Sequence, residues 1–232
     1  MRLGIICLVV SLILTESLVS AQKLDPKLYN ERDVRIQSLL KEESYAEAVK
    51  AIAVQLEYLR DSGVYDSLYH YVYDYGLSVR KTEDTEQSEK RTESLYHEIL
   101  KFDRDTSHWL SAMEDLSLTY YEIGEGPKRF EIDKAFLELA QQYSKATPVK
   151  ISIGHYNLGF NSLEQGKPSD AIHHFQSSVD VLDPETPSST RRLVNGWNAI
   201  GATLWRTGQM DKAKSAFQKS LHYIKQLDDP YV

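Results

Sequence analysis

Residues 151–183 read ISIGHYNLGFNSLEQGKPSDAIHHFQSSVDVLD, and residues 193–227 read LVNGWNAIGATLWRTGQMDKAKSAFQKSLHYIKQL. Offset by 42 residues, Leu158-Gly159 falls on Ile200-Gly201, Gly166 on Gly208, Ala171 on Ala213 and Phe175 on Phe217. His155 and Trp197 head the two segments in the same register, and one more step of 42 back reaches Leu116-Ser117 and Gly124. Apolar residues recur at helical spacing (Ala171, Ile172, Phe175, Val179), which gives each segment one face to bury. Gly159 and Gly201 then stand where two helices cross closely and a β-carbon would push them apart. Ala171 and Ala213 are small for the same reason, Phe175 and Phe217 fill the space between, and Gly166 and Gly208 let the chain reverse in a short turn. One such hairpin cannot bury its own apolar face, so neighbours stack.

These residues resemble the tetratricopeptide repeat, W-x2-L-G-x2-Y … A-x3-F … P, in a long-period variety with helices about one turn longer than usual. The resemblance is clear over residues 151–183 and 193–227. In the third unit Ser117 replaces the glycine, and Ala135-x3-Leu139 comes six residues late, which reads as a longer turn around Gly124-Glu125-Gly126-Pro127. Further back, Tyr45-Ala46-Glu47-Ala48-x3-Ile52 resembles the start of a second helix. The expected fold is all-α: a right-handed solenoid of about five antiparallel helix pairs, over Asp33–Arg60, Tyr65–Lys101, Ser107–Lys145, Val149–Leu182 and Arg191–Leu227. Tyr69, Tyr71, Tyr73 and Tyr75 alternate as a strand would, but Leu68, Val72, Gly76 and Val79 hold helical spacing, and Tyr65 to Lys81 reads as helix.

The chain opens with Arg2, an unbroken apolar run from Leu3 to Leu14, and small residues at Val19-Ser20-Ala21. That is the form of a signal peptide cleaved after Ala21, so the expected mature domain is 22–232 and its destination the periplasm or the exterior. The apolar run is too short for a spanning helix, and no membrane span is expected after cleavage. The single cysteine, Cys7, lies inside the leader, which removes thiolate metal sites and cysteine chemistry from the mature chain. A net charge of -7, with no run of basic residues, argues against nucleic acid or an anionic membrane as partner.

No nucleophile elbow, metalloprotease helix, phosphate loop or nucleotide fingerprint is present, and no catalytic residue, metal or cofactor is implied. His173 and His174 are adjacent on a helix and diverge; Glu93 and His97 share a face as ordinary surface pairs do. The family resemblance instead implies a binding groove on the first helix of each pair. Its positions fall on Ile153, Tyr156, Asn157, Phe160, Leu163 and Glu164 in the fourth unit. In the fifth they fall on Asn195, Asn198, Ala199, Ala202, Trp205 and Arg206, and in the third on Ser111, Glu114, Asp115, Leu118, Tyr121 and Glu122. Aromatic area with Asn and Arg to fix orientation suits an extended peptide or an amphipathic helix of a partner protein.

The expected function is therefore an exported, non-enzymatic protein- or peptide-binding scaffold. Exported repeats of this appearance also resemble leading regions of bacterial multidomain proteins, so a sensory or regulatory input region, kinase-linked for example, is the alternative. A helical glycan-directed enzyme would need a sealed pocket with two close carboxylates. Leu221, Tyr223 and Ile224 would lie where a sixth pair should pack, which makes self-association through the uncapped C-terminal helix a further expectation.

Overall fold

The computed structural model of the protein describes residues 24–82, 85–143 and 145–227, so the leader read at residues 1–21 lies outside the described residues. Among the described residues ten α-helices form five antiparallel pairs: α1 (Pro26–Lys41) with α2 (Tyr45–Asp61), α3 (Val72–Thr82) with α4 (Thr85–Phe102), α5 (Thr106–Ile123) with α6 (Gly126–Gln142), α7 (Pro148–Glu164) with α8 (Pro168–Asp180), and α9 (Pro187–Arg206) with α10 (Met210–Ile224). Each helix packs on its neighbours in sequence, which makes the chain a right-handed, TPR-like α-solenoid. Among the described residues no helix is long and apolar enough to cross a membrane.

The helix starts are written locally. Pro26, Pro148, Pro168 and Pro187 stand at the first turn of their helices, where a missing N–H costs nothing. Asp25 accepts from Lys27 N–H at 2.9 Å and Asp105 from Ser107 N–H at 2.8 Å, each satisfying an orphan donor. Two helices thus start earlier than the apolar spacing alone indicates, at Pro26 before Asp33 and at Pro187 before Arg191. The tyrosine-rich segment enters differently from expectation: Tyr65–Tyr71 is a 3-10 helix that becomes α-helical only at Val72. That tighter winding buries Leu68 and Tyr71 together, while Tyr69 stacks on His108 at 4.3 Å between ring centroids.

The turns share one closure. Gly124, Gly166 and Gly208 have φ of 81°, 71° and 77°. The residue after each donates five residues back: Glu125 to Tyr120 O at 2.9 Å, Lys167 to Ser162 O at 2.8 Å, Gln209 to Leu204 O at 2.9 Å. Glu43 takes the same left-handed conformation between α1 and α2 without being glycine, with Ser44 N–H on Leu39 O. The turn after Gly124 is therefore no longer than the other two, contrary to the sequence expectation. Counting from it, Arg129 and Asp133 stand where Ala171 and Phe175 stand one unit on, whereas Ala135 is exposed. The third unit does not delay the Ala-x3-Phe contact; it replaces that contact with polar residues.

In the fourth and fifth pairs the contact is apolar. A β-carbon on Gly159 would run into the ring of Phe175, and one on Gly201 would lie 2.7 Å from Cδ1 of Phe217. A second glycine pair, Gly154 and Gly196, serves the junctions between units, against Leu137 of α6 and Val179 of α8. Ser152 and Ser178 meet at 3.0 Å between hydroxyls, and 42 residues on Ser220 donates to Val194 O at 3.1 Å. Two apolar cores result, one across α1–α6 that reaches Ile153, the other across α7–α10. On the outer face of α10, Phe217 is 40 % and Leu221 51 % exposed, whereas their counterparts Phe175 and Val179 are buried beneath α9.

Candidate functional site

The two cores meet at α6 and α7, and the first helices part company there. α3 packs directly on α5 and α7 on α9, whereas α5 and α7 make no comparable contact and α6 touches both. The gap is a cleft of about 350 Å³. Glu114, Asp115, Leu118 and Tyr121 line it from α5, Ile153, Tyr156, Asn157 and Phe160 from α7, Arg192 from α9 and Arg129 from α6.

The substitution in the third unit builds the floor. Ser117 Oγ donates to Asp133 Oδ1 at 2.6 Å; Asn157 and Asn161 donate to the same carboxylate at 3.0 and 2.7 Å. Arg129 Nη1 donates to Glu164 at 2.7 Å, and its guanidinium lies 4.8 Å from the centroid of the Tyr121 ring. Burial pushes the Asp133 carboxyl up, and the three donated hydrogen bonds act against it. The polar cluster thus ties α5, α6 and α7 together directly under the opening. Above it Tyr156, Phe160 and Phe175 cluster with centroids 5.0–5.6 Å apart, Phe160 edge-on to both of the others. Tyr121, 56 % exposed, completes an aromatic rim.

Asp115 carries the unusual electrostatics. Burial first, then Glu114 and Asp74, push its pKa up to about 7, with Lys150 and the Tyr73 backbone N–H opposing them. A carboxylate whose folded-state pKa exceeds its unfolded value of about 3.9 favours folding below that value; the advantage is lost as pH rises through the folded pKa. Asp115→Asn is therefore expected to raise the melting temperature at pH 8 by several degrees, from roughly 1–2 kcal/mol after solvent screening, and to leave it nearly unchanged at pH 4. Thermal unfolding at both pH values checks this; an equal shift at each would trace the effect to packing and not to charge.

Of the residues expected in the groove, Tyr156, Asn157 and Phe160 line the cleft, with Glu114, Asp115, Leu118, Tyr121 and Ile153. Glu164 lies beside it as the partner of Arg129. Asn195, Asn198, Trp205 and Arg206 do not line it: Asn195 is half-buried, the other three are exposed farther along α9, and Ala199 is buried. Leu158, Gly159, Ala171, Phe175, Ile200, Gly201 and Ala213 are buried as repeat residues. Trp197 is half-buried with Lys219 Nζ 3.9 Å from its ring centroid. Arg129 and Arg192 were not legible as groove residues, the first because it belongs to a second helix. The signal for it was available: counting five residues from Gly124, as Ala171 follows Gly166, lands on Arg129.

The other singled-out side chains are engaged elsewhere. Glu93 accepts from Tyr120 Oη at 2.6 Å and from Lys128 at 3.0 Å. His174 faces His155 across α7 and α8, 5.9 Å between centroids, and burial lowers the pKa of both. A broader hollow of about 700 Å³ at the helix ends holds Asp103 and Asp105. Their carboxylates are spent on His108, on the Asp105 N–H and on the α5 cap.

No family model matches the chain, and no curated protein matches it in sequence. Solved structures match it in fold. MamA from Desulfovibrio magneticus RS-1, residues 41 to the end, is 17% identical with a TM-score of 0.54, covering 88% of this chain and 97% of that one. Aspartyl phosphate phosphatase F from Bacillus subtilis is 18% identical with a TM-score of 0.69, over 85% of this chain and 51% of its own. A Rap protein complexed with competence and sporulation factor is 15% identical with a TM-score of 0.66, over 94% of this chain and 59% of its own. At these identities the likeness is one of fold, a helical solenoid of stacked pairs.

Proposed function

We propose that this chain is an exported, non-enzymatic scaffold that holds an extended peptide segment of a partner protein in the cleft between α5 and α7. The observation that carries the proposal is the cleft itself, where the first helices of the third and fourth pairs, unlike α3 with α5 and α7 with α9, stand apart around aromatic, amide and charged side chains. Aromatic rims supply contact area, and charged or amide groups supply orientation. The Rap protein of the same fold, solved with a bound factor, is in keeping with a solenoid of this kind receiving a ligand. A sensory role is the second reading, favoured by the position of the cleft at the junction of two apolar cores. A segment gripped from both sides would bias the angle between them.

Site-specific photo-crosslinking tests the proposal. A benzophenone side chain is placed at Tyr121, in the cleft, or at Trp205, equally exposed but outside it. Expressed in the source cells, the chain is expected to crosslink a protein from position 121 and not from 205, and the recovered bait to begin at Gln22. Crosslinking from 205 alone would move the contact to the end of α9, and an N-terminus still at Met1 would remove export.

A further inference from the structure

Lys150 and Arg192 hold the same place in successive units, 42 residues apart. Lys150 reaches across to Glu114 on α5, with 2.8 Å between nitrogen and oxygen. The residue in the place of Glu114 one unit on is Tyr156, and the Arg192 charge acts on that phenol where it once would have met a carboxylate. Among the described residues Arg192 makes no hydrogen bond or ion pair, and it opens into the cleft. The repeat therefore keeps the cation and omits its anion.

A second guanidinium also borders the cleft. Arg129 is 7 % exposed, yet it lines the cleft. Its Nη1 is bonded to Glu164, but its buried Nε has no hydrogen-bond partner, with Asp133 Oδ2 3.6 Å away. A buried donor without an acceptor is costly, and an incoming acceptor relieves that cost.

Resting on the peptide-groove reading, we infer that Arg192 in the cleft receives the acidic side chain of an Asp or Glu in the bound segment, with an apolar neighbour seated on Leu118, Tyr121 and Phe160. Arginine forks match a carboxylate with two parallel N–H bonds. Charge favours a monoanion over a phosphate dianion: Lys150 is spent on Glu114 and Arg129 on Glu164 and Asp133, which leaves the single charge of Arg192 to be met. Position decides for a side chain over a chain end. The cleft lies midway along the stack, with α1 and α3 before it and α9 after it, so a segment runs on past it at both sides.

The test is fluorescence polarisation of the full chain with labelled, C-terminally amidated dodecapeptide pools, randomised around a fixed central Glu, Gln or Lys. The Glu pool is expected to bind about ten- to a hundredfold tighter than the Gln pool, as a charge-assisted pair implies. Arg192→Gln should erase that difference, and Arg192→Lys should retain part of it. Equal binding of the Glu and Gln pools, lost in Leu118→Glu, would overturn the acidic-residue inference and leave the groove standing. Binding only by a fourth pool with free C-termini would replace the side chain by a chain end and overturn the inference equally. No binding by any pool would remove the peptide groove, and this inference with it.

Discussion

Gly196→Ala is expected to lower the melting temperature by about 3–8 °C, although alanine is the better helix former. At this glycine an added β-carbon would come within 3.0 Å of Val179 Cγ1, with the Phe175 carbonyl oxygen at 3.9 Å behind it. Valine is branched at Cβ and held to one rotamer in a helix, so it cannot swing aside. Overpacking of this kind costs roughly 1–3 kcal/mol, against a helix-propensity gain of at most about 1 kcal/mol. For a domain of this size each kcal/mol moves the midpoint by roughly 2–4 °C. Val179→Ala placed in the same chain should restore most of the loss. Gly126→Ala is the control, because a β-carbon there meets nothing within 4 Å, and it should be neutral or slightly stabilising. Thermal melts of the four proteins decide the matter. A single variant as stable as the parent would mean that α8 and α9 can part without cost, and that Gly196 does not set their approach.

Asp133→Ala should be more damaging, by roughly 3–5 kcal/mol. It leaves Ser117 and Asn161 without their buried acceptor and takes the neighbouring carboxylate from Arg129. The repeat supplies its own remedy. Ser117→Gly, Arg129→Ala, Asp133→Phe and Asn161→Thr together install what the chain carries one unit on at Gly159, Ala171, Phe175 and Thr203. That fourfold variant should recover most of the stability, since a well-packed apolar contact commonly matches a buried ionic one. It should also lose peptide binding, having surrendered the floor of the cleft. Denaturant unfolding with polarisation binding on the same samples reads both. A fourfold variant no more stable than Asp133→Ala would show that the third unit is not an exchangeable copy of the fourth.

The fold was legible because the two best-matched units repeat Gly159, Gly166, Ala171 and Phe175 as Gly201, Gly208, Ala213 and Phe217, each tied to a local constraint on backbone or packing. In the tyrosine segment helical spacing was legible but not its kind: Tyr65–Tyr71 winds as a 3-10 helix and is α-helical only from Val72 on. The cleft was legible by halves. Carrying groove positions along the first helices reached Tyr156, Asn157, Phe160 and the α5 residues. It also extended the groove to Asn198, Trp205 and Arg206, which do not line the cleft.

By itself the sequence determined that this chain is a stack of helix pairs, where its turns fall and which small residues set the approach of one helix to the next. Those features depend on residues a few positions apart, and a repeat prints them more than once. Only the tertiary structure decided where the stack opens. That choice rests on Ser117, Arg129, Asp133 and Asn161, which lie on three helices and meet only when the third and fourth pairs pack, so repeat spacing finds their places one at a time but not their meeting. A buried polar cluster fixes α5, α6 and α7 by hydrogen bonds where its neighbours rely on ring-on-glycine contact, and the cleft stands above that difference.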